Sequence, residues 1–152
     1  MGSAVMTLLR KPAFSALLAL GLLSTGALVT PARAQQSTLF SGKLEAEHGA
    51  STHAHGNVMA LYYPGAHVLR YTVTWEGLSG PVTIAHLHGP ALPGHDGPPE
   101  VTVRGPYKSP LSGSVMLSSQ TEQDLLDGRL YLKLHTQKAP GGEVRAWLAK
   151  SE

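Results

Sequence analysis

Short runs of alternating hydrophobic and polar residues, separated by glycine and proline, make up most of this chain after residue 38. The clearest run is 67–76, where every second residue is apolar, as in a strand with one buried face. Its apolar positions are Leu69, Tyr71, Val73 and Trp75. Similar runs predict further short strands at residues 39–47, 55–63, 82–88, 111–117, 130–135 and 143–149.

Two segments depart from this alternation. Residues 89–110 contain six of the chain's eleven prolines, which predicts a long ordered loop or an edge segment rather than a central strand. Residues 122–126 are the helix candidate, with Ser119 or Thr121 as the cap and Gly128 as the stop signal.

The number and spacing of the strand-like runs predict the fold class. The last two runs flank Ala139-Pro140-Gly141-Gly142, a sequence typical of a hairpin turn. Seven or so short strands of this kind predict an all-β domain, an antiparallel β-sandwich with one short helix.

The first 34 residues have the features of a secretory signal peptide. Arg10 and Lys11 precede an apolar stretch at 13–29, and Ala32-Arg33-Ala34 has the small-x-small pattern of a cleavage site. A single membrane anchor is the alternative, although the apolar stretch is short for a span of about 20 residues. The signal predicts a periplasmic or secreted mature domain, residues 35–152, with no stable membrane insertion after cleavage.

The charge balance changes when this segment is removed. The whole chain has 12 Lys and Arg against 10 Asp and Glu, and the signal contains three of the basic residues. The mature domain therefore has 9 against 10, a formal charge of −1, which predicts no nucleic-acid partner. The chain has no cysteine, so a metal site in it has to use histidine, carboxylate or backbone ligands.

Histidine is the residue type that points to chemistry. His86 and His88 lie one residue apart in the predicted strand 82–88, so their side chains share a face about 6–7 Å apart. His135 ends another predicted strand. We expect these three to bind a metal, with His53 or His55 as the fourth ligand; nitrogen ligands favour copper, and zinc is possible. The alternative is that the histidines only hydrogen-bond the following loop.

The faces of the strands are harder to assign. In 130–135 the leucines should face the core, which places His135 on the outer face. His86 and His88, however, alternate in step with Val82 and Ile84, so all four should lie on one face, and Val82 and Ile84 look buried. A bulge at the strand end, or a site at the rim of the sandwich, would reconcile the two assignments.

Three segments together resemble a known family. They are Leu78–Ala91 with its His86-Leu87-His88-Gly89-Pro90-Ala91, Leu126–Tyr131, and His135-Thr136 followed by Pro140–Arg145. In this order they are similar to the CHRD domain, a family named from chordin and widespread in bacterial secreted proteins. The resemblance covers residues 39–148 and implies an immunoglobulin-like or superoxide-dismutase-like β-sandwich. It implies no single biochemical activity.

This chain departs from the family pattern at residues 47–56. That segment contains a second His-x-His, His53 and His55, where many relatives have small polar residues. The departure favours a metal role in this member of the family.

Arg145 is the candidate catalytic residue. The layout is similar to copper-zinc superoxide dismutases, which place an arginine beside His-x-His copper ligands on a β-sandwich. By that analogy Arg145 would attract a small anion such as superoxide. The alternative is a hairpin salt bridge to a carboxylate such as Glu143. We expect Lys133 and Trp147 to be surface and packing residues.

Three functions fit the sequence. The first is a periplasmic or secreted copper protein with superoxide-dismutase-like redox activity, and the second is a metal-carrying protein without catalysis. The third is a non-catalytic extracellular binding or structural module. Hydrolysis has no support, because the chain lacks cysteine and a Gly-x-Ser-x-Gly segment.

Overall fold

Two antiparallel β-sheets and one helix make up the part of the chain described by the computed structural model. The described residues are 2, 36–47, 49–50 and 53–151. The predicted signal peptide lies outside them, apart from Gly2.

The strands, in chain order, are β1 (Thr38–Lys43), β2 (Glu45–Ala46), β3 (His55–Tyr63), β4 (Val68–Glu76), β5 (Val82–His88), β6 (Pro99–Val103), β7 (Leu111–Met116), β8 (Tyr131–Thr136), β9 (Val144–Trp147) and β10 (Ala149–Lys150), and the helix α1 is Ser119–Leu126. The first sheet has the order β10-β1-β3-β4-β7, and the second has the order β2-β9-β8-β5-β6. The predicted antiparallel sandwich with one short helix is confirmed in the described residues.

Two of the predicted strands each divide in two, because the chain changes sheet within them. The predicted strand 39–47 is β1 in the first sheet and β2 in the second, with Leu44 between them. The predicted strand 143–149 divides around Leu148 into β9 and β10 in the same way. Both leucines are buried, so the apolar alternation continues through each crossing and does not reveal it.

The proline-rich segment supplies an additional strand. β6 begins at Pro99 and lies at the edge of the second sheet, beside β5. Proline is tolerated there because the first residue of an edge strand need not donate a ladder hydrogen bond. The expectation of an edge segment is therefore confirmed for part of residues 89–110.

The core lies between the sheets and determines which side chains face outward. From β4 it takes Leu69, Tyr71 and Val73, as the alternation predicted, with the half-buried Trp75 packed against them. From β8 and β9 of the second sheet it takes four even-numbered residues, Leu132, Leu134, Val144 and Ala146. The odd-numbered residues of β8 and β9 are left on the outer face of the second sheet.

Helix α1 begins at a different cap from the one expected. Ser118, rather than Ser119 or Thr121, is the N-cap, and its Oγ accepts a hydrogen bond from the Thr121 amide at 3.1 Å. Gly128 follows the helix with a positive φ of 70°, which confirms the predicted stop signal.

A partly buried acid attaches this helix to the first sheet. Glu122 accepts a hydrogen bond from the hydroxyl of Tyr62 and lies 2.7 Å from the Nδ1 of His67. The hydrogen bond from Tyr62, and then that from His67, lower the pKa of Glu122 below its usual value of 4.5. Burial and the same carboxylate raise the pKa of Tyr62 to about 12.

We expect Glu122→Gln to lower the free energy of unfolding by about 1 kcal/mol at pH 7, because a charge-assisted hydrogen bond is replaced by a neutral one. Since the carboxylate has a lowered pKa in the folded state, its contribution is present above pH 4.5 and is lost as the pH falls through that lowered value. Urea unfolding at pH 7 and near pH 3 measures the difference. Glu76→Gln, at an exposed carboxylate 3.7 Å from His55, is the control and should have little effect. If Glu122→Gln lowered the free energy of unfolding by the same amount at both pH values, the ionised carboxylate of Glu122 would not be the source of the stabilisation.

Candidate metal centre

His86, His88 and His135 all lie on the outer face of the second sheet. They belong to β5 and β8, which are hydrogen-bonded neighbours. The register places His88 opposite Tyr131, His86 opposite Lys133, and Ile84 opposite His135. The intervening residues of β5, Ala85 and Leu87, belong to the core. All three histidines therefore project from the sheet on the same side.

A bulge at the start of β5 resolves the conflict over the faces. Val82 pairs with Thr136, but Ile84, two residues later, pairs with the adjacent His135. This register shift turns Val82 into the core while Ile84 and His86 remain on the outer side, where both are half-buried. A bulge therefore reconciles the two assignments, but it lies at the start of β5 rather than at the strand end, and the histidines occupy a sheet face.

The ring nitrogens of the three histidines converge. One nitrogen from each lies within 4.8 Å of the others, and His86 Nδ1 is 3.5 Å from His135 Nε2. Two ligands about 120° apart, each with a ~2.0 Å metal bond, would be separated by ~3.5 Å. The predicted approach of His86, His88 and His135 is confirmed.

Backbone carbonyls orient two of the three rings. His88 Nδ1 lies 2.9 Å from the carbonyl oxygen of Gly97, and His135 Nδ1 lies 2.9 Å from that of Pro140. A carbonyl oxygen only accepts, so each Nδ1 carries the proton and each Nε2 presents a lone pair. Metal-bound histidines are commonly oriented by such an acceptor on the other ring nitrogen. The Nε2 of His88 is buried and has no hydrogen-bond partner in the part of the chain that the structure describes.

The surroundings favour the neutral, metal-binding form of the rings. Burial, followed by the nearby His135, lowers the pKa of His86 below its usual 6.5. Burial also lowers the pKa of His88, and the charge of Lys133 lowers it further, while the hydrogen bond to Gly97 acts in the opposite direction. Both rings are thus neutral near pH 7, with lone pairs free of protons.

Two buried cations lie beside this group. Lys133 and Arg145 are directly opposite each other on β8 and β9, and the side chain of each is 7% exposed. Glu47 lies 3.1 Å from Lys133 and 3.3 Å from Arg145, and Asp96 lies 3.4 Å and 3.0 Å from the same two nitrogens. The expectation that Lys133 is a surface residue is wrong, because the ion pairs and the flanking loops bury it.

Arg145 has different partners from the expected one. It pairs with Glu47 and Asp96, and it also donates to the His95 carbonyl oxygen at 3.1 Å. The carboxylate of Glu143 instead accepts from Ser79 and from the hydroxyl of Thr136. The proposed salt bridge from Arg145 to Glu143 is therefore wrong in its partner.

Tyr131 connects the histidines to the cations. Its ring stacks on His88 with centroids 5.3 Å apart, and lies 5.7 Å from Lys133 Nζ and 5.6 Å from Arg145 Cζ. The ring of Trp147 also packs against that of Tyr131, with 4.6 Å between the two ring centroids. The roles of Tyr131 and Glu47 were not predicted from the sequence. Two cations opposite each other on neighbouring strands were the signal that a carboxylate had to be nearby.

His53 and His55 do not join the converging group. His55 begins β3 in the first sheet, where its Nε2 lies 3.7 Å from the exposed Glu76 and its Nδ1 lies 3.3 Å from the His53 carbonyl oxygen. Both histidines are exposed. Among the described residues, the group with convergent ring nitrogens contains His86, His88 and His135 and no fourth side chain.

The chain is also similar to a known protein family. The CHRD domain profile matches residues 36–148, most of the chain. This chain belongs to the CHRD-domain family. Comparison with curated proteins and with solved structures found no significant match. Among the described residues of the protein, no helix is long and apolar enough to cross a membrane.

The family motifs of this CHRD domain meet on one face. The first segment, 78–91, contains His86 and His88, and the second, 126–131, ends at Tyr131. The third contains His135 and Pro140, whose carbonyl orients His135, and ends at Arg145. Residues far apart in the sequence therefore form one continuous group around the three imidazoles.

We expect His88 and His135 to be Nδ1–H tautomers at pH 7, which long-range ¹H–¹⁵N spectra of the imidazoles measure directly. His88 should also remain neutral as the pH falls below 6.5. The unfolded chain binds that proton more readily, so the stability associated with His88 should decrease as the pH falls through 6.5. An Nε2–H tautomer at His88 would contradict the assignment.

Proposed function

We propose that this CHRD-domain protein binds one transition-metal ion through His86, His88 and His135, and that copper is the preferred metal. Two observations carry the proposal: one ring nitrogen from each of the three histidines lies within 4.8 Å of the others, and the buried Nε2 of His88 has no partner among the described residues. A buried nitrogen lone pair without a donor is costly unless a ligand satisfies it.

The donor set supports copper over zinc. All three donors are imidazole nitrogens, and divalent copper binds such a site more tightly than zinc does. Three protein ligands also leave a coordination position for water or a small molecule, as in catalytic rather than structural metal sites. CHRD domains are typically extracellular, and the predicted signal peptide supports a periplasmic or secreted location.

Copper binding is tested with the metal-free protein and a competing chelator. Wild type should bind one Cu²⁺ more tightly than Zn²⁺, and His88→Ala should weaken copper binding at least about 100-fold. Loss of even an outer partner of a metal ligand costs 10–100-fold, so loss of a ligand should cost more. His55→Ala is the matched control and should bind copper as wild type does, since its ring lies in the other sheet.

Two results would count against this assignment. If His88→Ala binds copper normally, the three histidines are not the site, and a non-catalytic binding module becomes the better interpretation. If His55→Ala loses affinity as well, His55 is the fourth ligand, one of the two candidates predicted from the sequence.

We propose superoxide chemistry as a second, more specific function of the same site. The observation that favours it is the presence of Lys133 and Arg145 around Tyr131, whose ring stacks on His88. Two cations beside an open metal position would attract a small anion in competition with the exposed Asp96, which pairs with both. Arg145 would then act on the approaching anion, with little direct effect on the metal.

Copper-loaded wild type should remove superoxide at a rate that falls as the salt concentration rises, because salt screens the attraction of the anion. Arg145→Ala should retain copper but react more slowly and with a weaker salt dependence. Circular dichroism and copper content establish that the variant is folded and loaded. Normal copper binding without superoxide removal would instead indicate a metal-carrying protein without catalysis.

A further inference from the structure

The ion-pair group beside the histidines has two unequal acids. Glu47 is buried, and its backbone is fixed by hydrogen bonds from its own amide to Glu143 and from Ala50 to its carbonyl. The side chain of Asp96 is 69% exposed and comes from the loop between β5 and β6. Glu47 is therefore held within the fold, while Asp96 reaches the two cations from the solvent side.

The carboxylate of Asp96 contacts Lys133 and Arg145 as a separate bound anion would. A single oxygen, Oδ1, makes both ion pairs, at 3.0 Å to Arg145 and 3.4 Å to Lys133. Its neighbours Pro93, Gly94 and His95 are exposed as well. The loop thus delivers one carboxylate to two cations that are themselves almost completely buried.

The charges do not balance without this carboxylate. Lys133 and Arg145 contribute two positive charges, and Glu47 contributes one negative charge, which leaves a net charge of +1 on a buried cluster. A buried cation without a partner is strongly unfavourable, so the cluster requires a second anion. Asp96 supplies that anion when the loop lies against the sheet.

We propose that Lys133 and Arg145 form a binding site for a small carboxylate, and that Asp96 is an internal occupant which a free carboxylate displaces. Because both cations are almost completely buried, the anion proposed is a small one such as formate, which presents the same carboxylate group as Asp96. The Tyr131 ring forms one wall, and its stacking on His88 places the site next to the histidine group. The inference does not depend on a bound metal, since neither cation is among the converging nitrogens.

The test uses metal-free protein and sodium formate as the probe. Amide ¹H–¹⁵N shifts are followed during titration of wild type, Asp96→Ala and Asp127→Ala, with sodium chloride at equal concentration as the salt reference. Asp127→Ala is the matched control, because Asp127 is also a partly exposed acid paired with an arginine, Arg129, but lies after α1. Asp96 is on an exposed loop, so its replacement should lower the unfolding temperature but leave a folded domain, which circular dichroism checks.

In Asp96→Ala, formate should produce saturable shifts at Lys133 and Arg145 and raise the unfolding temperature, because it binds only the folded state. Wild type should bind formate at the same residues at least about tenfold more weakly, since Asp96 competes for the site. Asp127→Ala should behave like wild type. Equal formate affinities in wild type and Asp96→Ala would overturn the proposal, as would the absence of saturable shifts at these residues in Asp96→Ala.

Discussion

The register between β5 and β8 is the constraint on which the candidate site depends. Side chains alternate between the two faces of a sheet. If β5 slipped by one residue, His86 and His88 would turn into the core and Leu87 would turn out of it. Leu87 lies opposite Leu132 on the core side, and burial of such pairs resists the slip. The hydrophobic core thus holds His86 and His88 in place, although neither residue belongs to it.

Two glycine-containing loops then cover a face that would otherwise be exposed to water. At Gly142, with φ of 124°, a Cβ atom would lie 2.6 Å from the side chain of Lys133. At Gly97 a Cβ atom would lie 3.0 Å from Gly89, on the strand-to-loop junction after His88. Larger residues at either position would push the loops outward. The glycines therefore allow the carbonyls of Gly97 and Pro140 to reach the imidazoles, and they help to bury Lys133 between its acids.

Much of this arrangement was predictable from local pattern, and the rest was not. Alternation identified β4 and placed His135 outside, because one buried face is a local property of a strand. The partners of Arg145 could not be found in this way, since Glu47 and Asp96 come from segments about 50 residues apart whose contact depends on loop paths. His53 and His55 have the spacing of a metal-binding pair. Sequence spacing does not reveal, however, that β3 belongs to the first sheet while His86, His88 and His135 lie on the second.

The edges of the sandwich affect how separate molecules meet. A sheet edge with free amide and carbonyl groups invites strand addition by another chain, which leads to aggregation. Here β2 and β10 are edge strands of only two residues each, and β6 begins with Pro99 directly after Pro98. These three edges offer little length or few donors for intermolecular pairing. Three of the four sheet edges of this disulfide-free domain are therefore poor templates for strand addition, and β7 is the longer edge strand that remains.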